Sequence, residues 1–133
     1  PMQWDGTKNA GFSDGQPWLA VNPNYTKINV KEALANPDSI FYTYQKLVKI
    51  RKENSWLIRA DYELLETVEK VFAYTRKDGD RRFLVVANLS NQQQEFTVEE
   101  PVKSILIENT SVEEVLEKQL LAPWDAFCVE LAH

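Results

Sequence analysis

The sequence predicts a mainly β protein, an antiparallel β-sandwich preceded by a long loop and one helix. After Trp56, short runs of β-branched and aromatic residues recur with turn residues between them, a spacing typical of an antiparallel sandwich or barrel. Before Trp56 the chain is rich in glycine and proline and then shows one apolar stripe at helical spacing. We therefore expect two parts, residues 1–53 and an all-β domain at residues 54–133.

The first part begins with a segment that cannot form a long helix or a central strand. Three of the four glycines lie within the first fifteen residues, and two prolines follow by residue 23. The same segment is too rich in large apolar side chains for a disordered linker. These side chains are Trp4, Phe12, Trp18 and Tyr25. We expect a loop that lies over a surface outside this chain and is anchored by its aromatic residues.

Two helix starts follow the loop. Asn29 is placed to cap a short helix that ends near Ala35, with Glu32 in a capping-box position. Asn36 and Pro37 are expected to open the main helix, which runs to residue 53. Its apolar stripe consists of Ile40, Phe41, Tyr44, Leu47, Val48 and either Ile50 or Arg51.

The second part is expected to contain six strands, with residues 83–89 at the centre. The predicted strands are residues 62–65, 71–75, 83–89, 95–98, 102–107 and 126–131. The Asp78-Gly79 pair predicts a hairpin turn because such a turn requires positive φ angles. Residues 91–94 predict a second turn. Val112, Val115 and Leu116 have helical spacing, and residues 111–121 are interpreted as either a loop or a short helix.

Composition excludes several classes of function. The chain has 133 residues, 44% of them hydrophobic and 26% charged, and a net charge of −5. Nucleic-acid binding is not expected because no basic footprint is present. No membrane span is expected because no run of eighteen apolar residues occurs. The single cysteine, Cys128, excludes an internal disulfide and lies in a strand-like run, where we expect a small buried hydrophobic residue rather than a reactive thiol.

Residues for catalysis or metal binding are also lacking. The only histidine is His133, the last residue, where we expect a frayed terminus. Serine and cysteine triads and zinc sites are thereby excluded. Asp5, Asp14 and Asp38 could supply a carboxylate pair, but their positions fit turn and cap residues better. We expect no catalytic, cofactor-binding or metal-binding residue in this chain, and no cofactor.

Three motifs carry a family resemblance. They are residues 1–5 (PMQWD), residues 17–25 (PWLAVNPNY) and residues 36–47 (NPDSIFYTYQKL). Together they resemble the end of the catalytic barrel in one branch of the α-amylase superfamily, glycoside hydrolase family 13. That branch contains oligo-1,6-glucosidases, dextran glucosidases and trehalose-6-phosphate hydrolases. The resemblance implies that residues 1–36 are the loop after the last barrel strand, residues 37–53 the last helix of the (β/α)8 barrel, and residues 54–133 the C-terminal domain.

The resemblance implies a function for the parent protein rather than for the chain alone. The parent would be a bacterial, cytoplasmic α-glucosidase that hydrolyses α-1,6 links in isomaltooligosaccharides or dextran with retention, through a covalent glucosyl intermediate. Its three catalytic carboxylates and any metal site would lie upstream of Pro1. Because Met2 is the only methionine, we also expect an upstream segment. The partner of this non-catalytic, structural chain would be the catalytic barrel of the same polypeptide, and oligosaccharide would bind only to the intact enzyme.

The four tryptophans offer the main alternative. Aromatic faces stack on sugar rings, but packing is the expected role of Trp4, Trp18, Trp56 and Trp124, and the last two are expected to be largely buried. Gln3 is expected near the rim of the active site, without a substrate contact. The alternatives are a trehalose-6-phosphate hydrolase, a carbohydrate-binding module and a purely structural β domain. Without the barrel, the exposed helix face is expected either to self-associate or to be covered by residues 1–36.

Overall fold

The computed structural model describes residues 1–132, so His133 and its predicted frayed terminus lie outside the described residues. The chain divides into two compact units, Pro1–Lys49 and the remainder from Ile50. The helices are α1 (Val30–Ala35), α2 (Ile40–Glu53), α3 (Trp56–Arg59) and α4 (Val112–Lys118), with short 3-10 segments at Lys8–Gly11 and Pro23–Thr26. The strands are β1 (Asp61–Leu64), β2 (Val71–Asp78), β3 (Arg81–Asn88), β4 (Gln94–Glu95), β5 (Val102–Glu108), β6 (Leu120–Leu121) and β7 (Ala126–Leu131). No helix among these residues is long and apolar enough to cross a membrane.

The first unit is organised by a left-handed turn in its opening loop. Asn9, Ala10 and Gly11 have φ angles of 55°, 60° and 64°. The turn aims the carbonyl of the buried Ala10 at the backbone N–H groups of Trp4 (2.9 Å) and Asp5 (3.2 Å). Glycine is required at position 11, since a Cβ there would lie 2.8 Å from a carboxylate oxygen of Asp5. The glycine-rich loop of the sequence is therefore a defined backbone structure.

Helix α1 begins where the sequence predicts. The Asn29 side chain accepts a hydrogen bond from the backbone N–H of Glu32 at 2.9 Å, and the helix ends at Ala35. Its first turn is tied to the start of the chain, because the Val30 N–H donates to the Gln3 carbonyl at 2.9 Å.

Helix α2 begins three residues later than predicted. Asn36 accepts a hydrogen bond from the Asp38 N–H at 3.0 Å, so this stretch forms a turn before the helix. The helix starts after Ser39, whose carbonyl accepts the Thr43 N–H at 3.2 Å. The apolar stripe exists as predicted. Its members Ile40, Phe41, Tyr44, Leu47 and Val48 are between 38% and 86% exposed.

The second unit is built on a five-stranded antiparallel sheet. The strand order is β1-β2-β3-β7-β5, so β3 is the central strand, as the sequence predicts. Strands β2 and β3 form a hairpin whose last pair is Asp78 and Arg81. The two turn residues are thus Gly79 and Asp80, and only Gly79 has a positive φ, of 60°. The expected Asp-Gly turn is therefore a Gly-Asp turn with glycine at its first central position.

A smaller layer covers one face of this sheet. Within residues 111–121, which predict either a loop or a short helix, residues 112–118 form α4, and its Val112 and Val115 are buried in the core. Strands β4 and β6 form a separate pair. The strand predicted at residues 95–98 is wrong beyond Glu95, because Phe96 and Val98 pack against the core outside any ladder. The buried core consists of Val71, Ala73, Leu84, Val86, Val112, Val115, Leu121, Phe127, Val129 and Leu131. The mainly β, antiparallel fold with a leading loop and helix is confirmed.

Truncation of Leu84 tests the central position of β3. Leu84→Ala removes buried methyl groups and typically costs about 2–5 kcal/mol. In a unit of this size the melting midpoint should fall by about 10 °C or more. The matched control is Leu89→Ala at an exposed position just beyond the same strand, which should shift the midpoint by only a degree or so. Equal shifts for the two variants in a thermal melt would show that β3 is not central.

Candidate functional site

The three aspartates considered for catalysis lie in turns. The Asp5 carboxylate accepts hydrogen bonds from the backbone N–H and the hydroxyl of Thr7, at 2.8 and 2.5 Å. Asp14 is exposed in the opening loop, and Asp38 lies in the turn before α2. The predicted turn roles of Asp5 and Asp38 are thus confirmed.

Three carboxyl groups lie in environments that lower their pKa and so favour the ionised form. The hydroxyl of Thr7 lowers the pKa of Asp5, Lys118 lowers the pKa of Glu114, and Arg81 lowers the pKa of Glu130. A glycosidase acid needs the opposite, a carboxyl group whose pKa is raised. Among the described residues there is also no cluster of three or more side chains that could hold a metal ion. These three carboxylates therefore serve as acceptors of structural hydrogen bonds.

Trp56 packs in the second unit, as predicted. Its ring stacks on Phe83 with centroids 3.7 Å apart and an angle of 11°, and the residue is 6% exposed. The indole N–H donates to the Asn54 side chain at 2.8 Å. The Arg81 guanidinium lies 4.7 Å from the Phe83 ring centroid, in cation–π geometry. Both polar and apolar parts of Trp56 are thus used within the fold.

Glu130 extends this cluster across the sheet. Its side chain is 9% exposed and accepts bonds from Arg81 Nε and Lys103 Nζ, each at 3.1 Å. Ser104 Oγ adds a longer contact of 3.4 Å. The hydrogen bond from Arg81 is the main cause of the lowered pKa of Glu130, and it outweighs the opposing effect of burial. The buried carboxylate therefore has the partners that a buried charge requires.

The Glu130 network predicts a pH dependence of stability. A carboxyl group whose pKa is lower in the folded than in the unfolded chain stabilises the fold above its ordinary pKa of 4.5, and this contribution is lost as pH falls through the folded pKa. Glu130→Gln should lower the melting midpoint by several degrees at pH 7, and the difference should shrink in more acidic buffer. Glu114→Gln is the control, because its pair with Lys118 is exposed and contributes little. A difference for Glu130→Gln that stays constant down to pH 3 would contradict this account.

The prediction that Trp124 is largely buried is wrong. It is 60% exposed, and its φ angle is 65°, an unusual value for a bulky residue. The backbone is held there because Trp124 N–H donates to the Ser90 carbonyl at 3.2 Å and Asn109 Nδ2 donates to the Trp124 carbonyl at 2.9 Å. The buried Asp125 carboxylate accepts the Ala122 N–H at 2.7 Å and closes the turn. Such a conformation costs on the order of 1–3 kcal/mol and persists only where the surroundings over-determine it.

A buried polar cluster forms hydrogen bonds to the backbone of the Trp124 turn. Asn88 is 2% exposed and donates to the carbonyls of Ala122 (2.8 Å) and Gln92 (2.7 Å). It also accepts a hydrogen bond from the Ser90 hydroxyl at 2.8 Å. Sequence reasoning missed this cluster. The sequence feature that could have indicated it is Asn88 and Ser90 at the end of an apolar strand, because Asn and Ser side chains there often hydrogen-bond to the local backbone.

The aromatic residues of the opening loop remain largely uncovered. Trp4 and Phe12 are about half exposed and Trp18 is 92% exposed. Gln3 donates to the Asn24 side chain at 2.9 Å and to the Ile28 carbonyl at 2.5 Å. Its amide thus joins two parts of the first unit.

The second unit also presents an apolar sheet surface. Side chains of the five-stranded sheet alternate, and Leu84 and Val86 point into the core. On the opposite side, which we call the outer face, Tyr74 lies 5.1 Å from Tyr62 and 5.5 Å from Phe72 between ring centroids. The large exposed side chains of the outer face are Tyr62, Leu64 and Phe72.

Cys128 lies on the outer face, opposite Val85 in the ladder between β3 and β7. It is half-buried rather than fully buried, which corrects the expected full burial. Burial raises the pKa of the thiol to about 11, so the thiol is protonated at neutral pH. The prediction of an unreactive, packed cysteine agrees with this environment.

A cleft of about 270 Å³ lies between the segments at residues 65–67 and 96–100. It is closed at one side by an ion pair between Arg82 and Glu100, and its floor includes the core residue Leu84. Ligand pockets usually measure about 300–1,000 Å³. This cleft is therefore a small surface depression over the core rather than an enclosed binding site.

Two family models match the chain in succession. The catalytic domain of α-amylase matches residues 1–60, and the C-terminal domain of the α-amylase SusG matches residues 71–126. A glucan 1,6-alpha-glucosidase from Streptococcus pneumoniae serotype 4 is 82% identical over 131 residues, which are 98% of this chain and 24% of that protein. This chain belongs to the α-amylase family.

Other members of the α-amylase family agree with this. An oligo-1,6-glucosidase from Bacillus cereus is 42% identical over 98% of this chain and 25% of that protein. The crystal structure of trehalose-6-phosphate hydrolase from Bacillus licheniformis matches with a TM-score of 0.87 and 35% identity, over 100% of this chain and 25% of that chain. The chain thus spans about a quarter of the length of the relatives that it matches.

Proposed function

We propose that this chain is the non-catalytic C-terminal part of a bacterial, cytoplasmic α-glucosidase that hydrolyses α-1,6 links in isomaltooligosaccharides and dextran with retention. The main support for this proposal is the 82% identity to a glucan 1,6-alpha-glucosidase over 98% of the chain. A retaining glycosidase needs two carboxyl groups about 5–5.5 Å apart. In the proposed arrangement these belong to the catalytic barrel of the same polypeptide, and this chain supplies none of them.

Residues 1–53 would complete the barrel, and residues 54–133 would form the C-terminal domain. The succession of a catalytic-domain match at residues 1–60 and a C-terminal-domain match at residues 71–126 supports this order. The helical stripe of α2 supports it as well, since an outer helix of a (β/α)8 barrel buries one apolar side against the strands.

The exposed apolar surfaces explain how such a chain would act. Soluble monomers rarely leave contiguous apolar patches above a few hundred Å² in water. Here the α2 stripe, the opening-loop aromatics and the outer face of the sheet are all exposed. Removing such apolar surface from water is favourable by about 25 cal/mol of free energy per Å². We propose that the barrel covers these surfaces and is stabilised by them. In the chain alone, the α2 stripe would drive self-association at high concentration.

A trehalose-6-phosphate hydrolase is the second candidate, because that enzyme's structure matches the whole chain. Identity favours the first candidate, at 82% against 35%. Domain exchange can separate the two, since a matching interface should restore a stable enzyme.

The first experiment replaces the matching segment of the Streptococcus pneumoniae glucosidase with this chain. The chimera should hydrolyse isomaltose at a rate close to that of the unaltered enzyme, because the interface residues are largely kept. The same exchange into the Bacillus licheniformis trehalose-6-phosphate hydrolase should give a less stable protein. The chain alone is the control and should not turn over isomaltose or p-nitrophenyl α-glucoside. A folded but inactive first chimera, or activity that follows the purified chain, would contradict the proposal.

The second experiment places a charge on the outer face. Phe72 is 42% exposed, so Phe72→Glu should change the melting midpoint of the chain alone by only a degree or two. In the chimera the same charge would be buried without a partner, and the midpoint should fall by many degrees. Val68→Glu, at an exposed residue in the loop before β2, should be tolerated in both proteins. If Phe72→Glu is equally mild in both, the outer face is not the docking surface.

A further inference from the structure

The end of the sheet that carries Trp124 presents an exposed aromatic ring. Trp124 presents most of its ring to solvent from a backbone conformation that few bulky residues adopt. The Ser90 carbonyl accepts the Trp124 N–H, Asn109 donates to the Trp124 carbonyl, and the Asp125 carboxylate closes the turn by accepting the Ala122 N–H. Residues kept in rare conformations by several partners occur preferentially at ligand contacts and active sites. The exposed indole on this fixed backbone is therefore a candidate ligand contact.

The loops around Trp124 have an unusual composition for this chain. Three loops meet there, residues 89–93, 109–111 and 122–125, joined by the hydrogen bonds of Asn88, Ser90 and Asn109. Although 26% of the sequence is charged, their only charged residue is Asp125, which is buried and bonded. Their exposed polar residues are Asn91, Gln92, Gln93, Asn109 and Ser111, and the Asn109 amide also bonds to the Trp124 carbonyl and the Ala126 N–H. Amides offer both donors and acceptors, which suits the hydroxyl groups of a neutral sugar.

This site lies far from helix α3, at the opposite end of β3. Trp56 in α3 stacks on Phe83, whereas the loop of Trp124 is bonded to Asn88, whose N–H donates to the Asp125 carbonyl at 2.8 Å. Five residues of extended strand separate Phe83 and Asn88, about 17 Å. The Trp124 end is therefore separate from the end of the sheet at which the chain enters from α2 and α3.

The size of the apolar patch argues against a protein partner. Specific protein interfaces bury about 800 Å² on each side and involve some 20–30 residues. Within the three loops, Trp124 and Leu89 are the large apolar side chains that are exposed. One aromatic face with an amide rim matches a single pyranose ring, whose C–H face stacks on an indole.

We propose that this surface, with Trp124 at its centre and the amides of residues 91–93 and 109 around it, is a secondary binding site for α-glucan chains. The site would hold the polymer away from the chemistry and keep it near the enzyme. This inference deepens the proposed function, because it takes the ligand class from the proposed substrate. The Trp124 indole would supply the contact area, and its fixed backbone leaves only the side chain to be ordered on binding.

The test uses the 133-residue chain and needs no enzyme activity. Dextran is included in a native gel, and isomaltotriose, maltotriose and cellotriose are titrated while amide and indole signals are followed by NMR. Retardation by dextran and a dissociation constant in the millimolar range are expected, with the shifts centred on Trp124. Trp124→Gly is the decisive variant, because glycine accepts the positive φ and keeps the turn. It should weaken binding at least tenfold while the melting midpoint is kept or raised. Trp18→Ala, at the 92% exposed tryptophan of the first unit, should bind like the parent.

Three results of these measurements would overturn the proposed glucan site. Absence of binding to dextran and to every oligosaccharide at about 20 mM overturns the proposal, as does binding that survives Trp124→Gly. A concentration-dependent dimer that Trp124→Gly abolishes, without glucan binding, assigns the surface to a second copy and also overturns it. Binding of maltotriose in preference to isomaltotriose supports the glucan site and does not bear on the linkage that the enzyme cleaves. Failure of the domain-exchange experiment leaves this measurement intact, since the two use different proteins.

Discussion

The position of β3 at the centre of the sheet is the constraint on which the second unit depends. Its Leu84 and Val86 fill the core, its Phe83 supports Trp56 on the outer face, and its last residue, Asn88, organises the loops beyond it. Side chains alternate between the two faces of the sheet, so successive residues of β3 contact the core and the outer face in turn. The last residue of the strand contacts the loops. Displacement of this strand would affect the core, the Arg81–Glu130 network and the Trp124 turn together.

The polar groups of the second unit are satisfied internally, whereas much of its apolar surface is not. Glu130, Asn88 and Asp125 are all buried and all bonded. In contrast, the outer face of the sheet exposes aromatic side chains, and the first unit exposes the α2 stripe and Trp18. A chain that has satisfied its buried polar groups but leaves apolar faces open is suited to packing against a larger body. That is the physical basis for the structural role proposed here, and it agrees with a match to one quarter of longer glucosidases.

The parts that the sequence predicted well are governed by local signals. The cap at Asn29, the stripe of α2 and the alternation in β3 depend on neighbours within one or two turns or on a simple period. The errors depend on distant residues. Trp56 and Trp124 have equally apolar rings, but Trp56 finds Phe83 across the fold, whereas Asn109 and Ser90 fix the backbone of Trp124 so that its ring points outward.

Two further differences concern where an element begins or ends. The strand predicted after Gln94 ends at Glu95 because Phe96 is drawn into the core and its N–H bonds to Gln119. Helix α2 starts late because the Asn36 side chain bonds to the Asp38 N–H and stabilises a turn instead of capping the helix directly. Within residues 111–121 the helical alternative is correct, because Val112 and Val115 of α4 pack in the core with Leu121. The core contact of Phe96 joins distant residues and is not contained in a short window, whereas the Asn36 turn is a local alternative to the predicted cap.

The central claim is that these open apolar surfaces are covered in the intact enzyme while Trp124 is not. Hydroxyl-radical footprinting with mass spectrometry measures it directly, because oxidation of aromatic side chains follows their exposure. The chain alone would be compared with the chimera in which it completes the Streptococcus pneumoniae glucosidase. The account predicts that Phe41, Tyr62 and Phe72 lose most of their reactivity in the chimera and that Trp124 keeps its own. Unchanged labelling of Tyr62 and Phe72, or loss of labelling at Trp124, would contradict it.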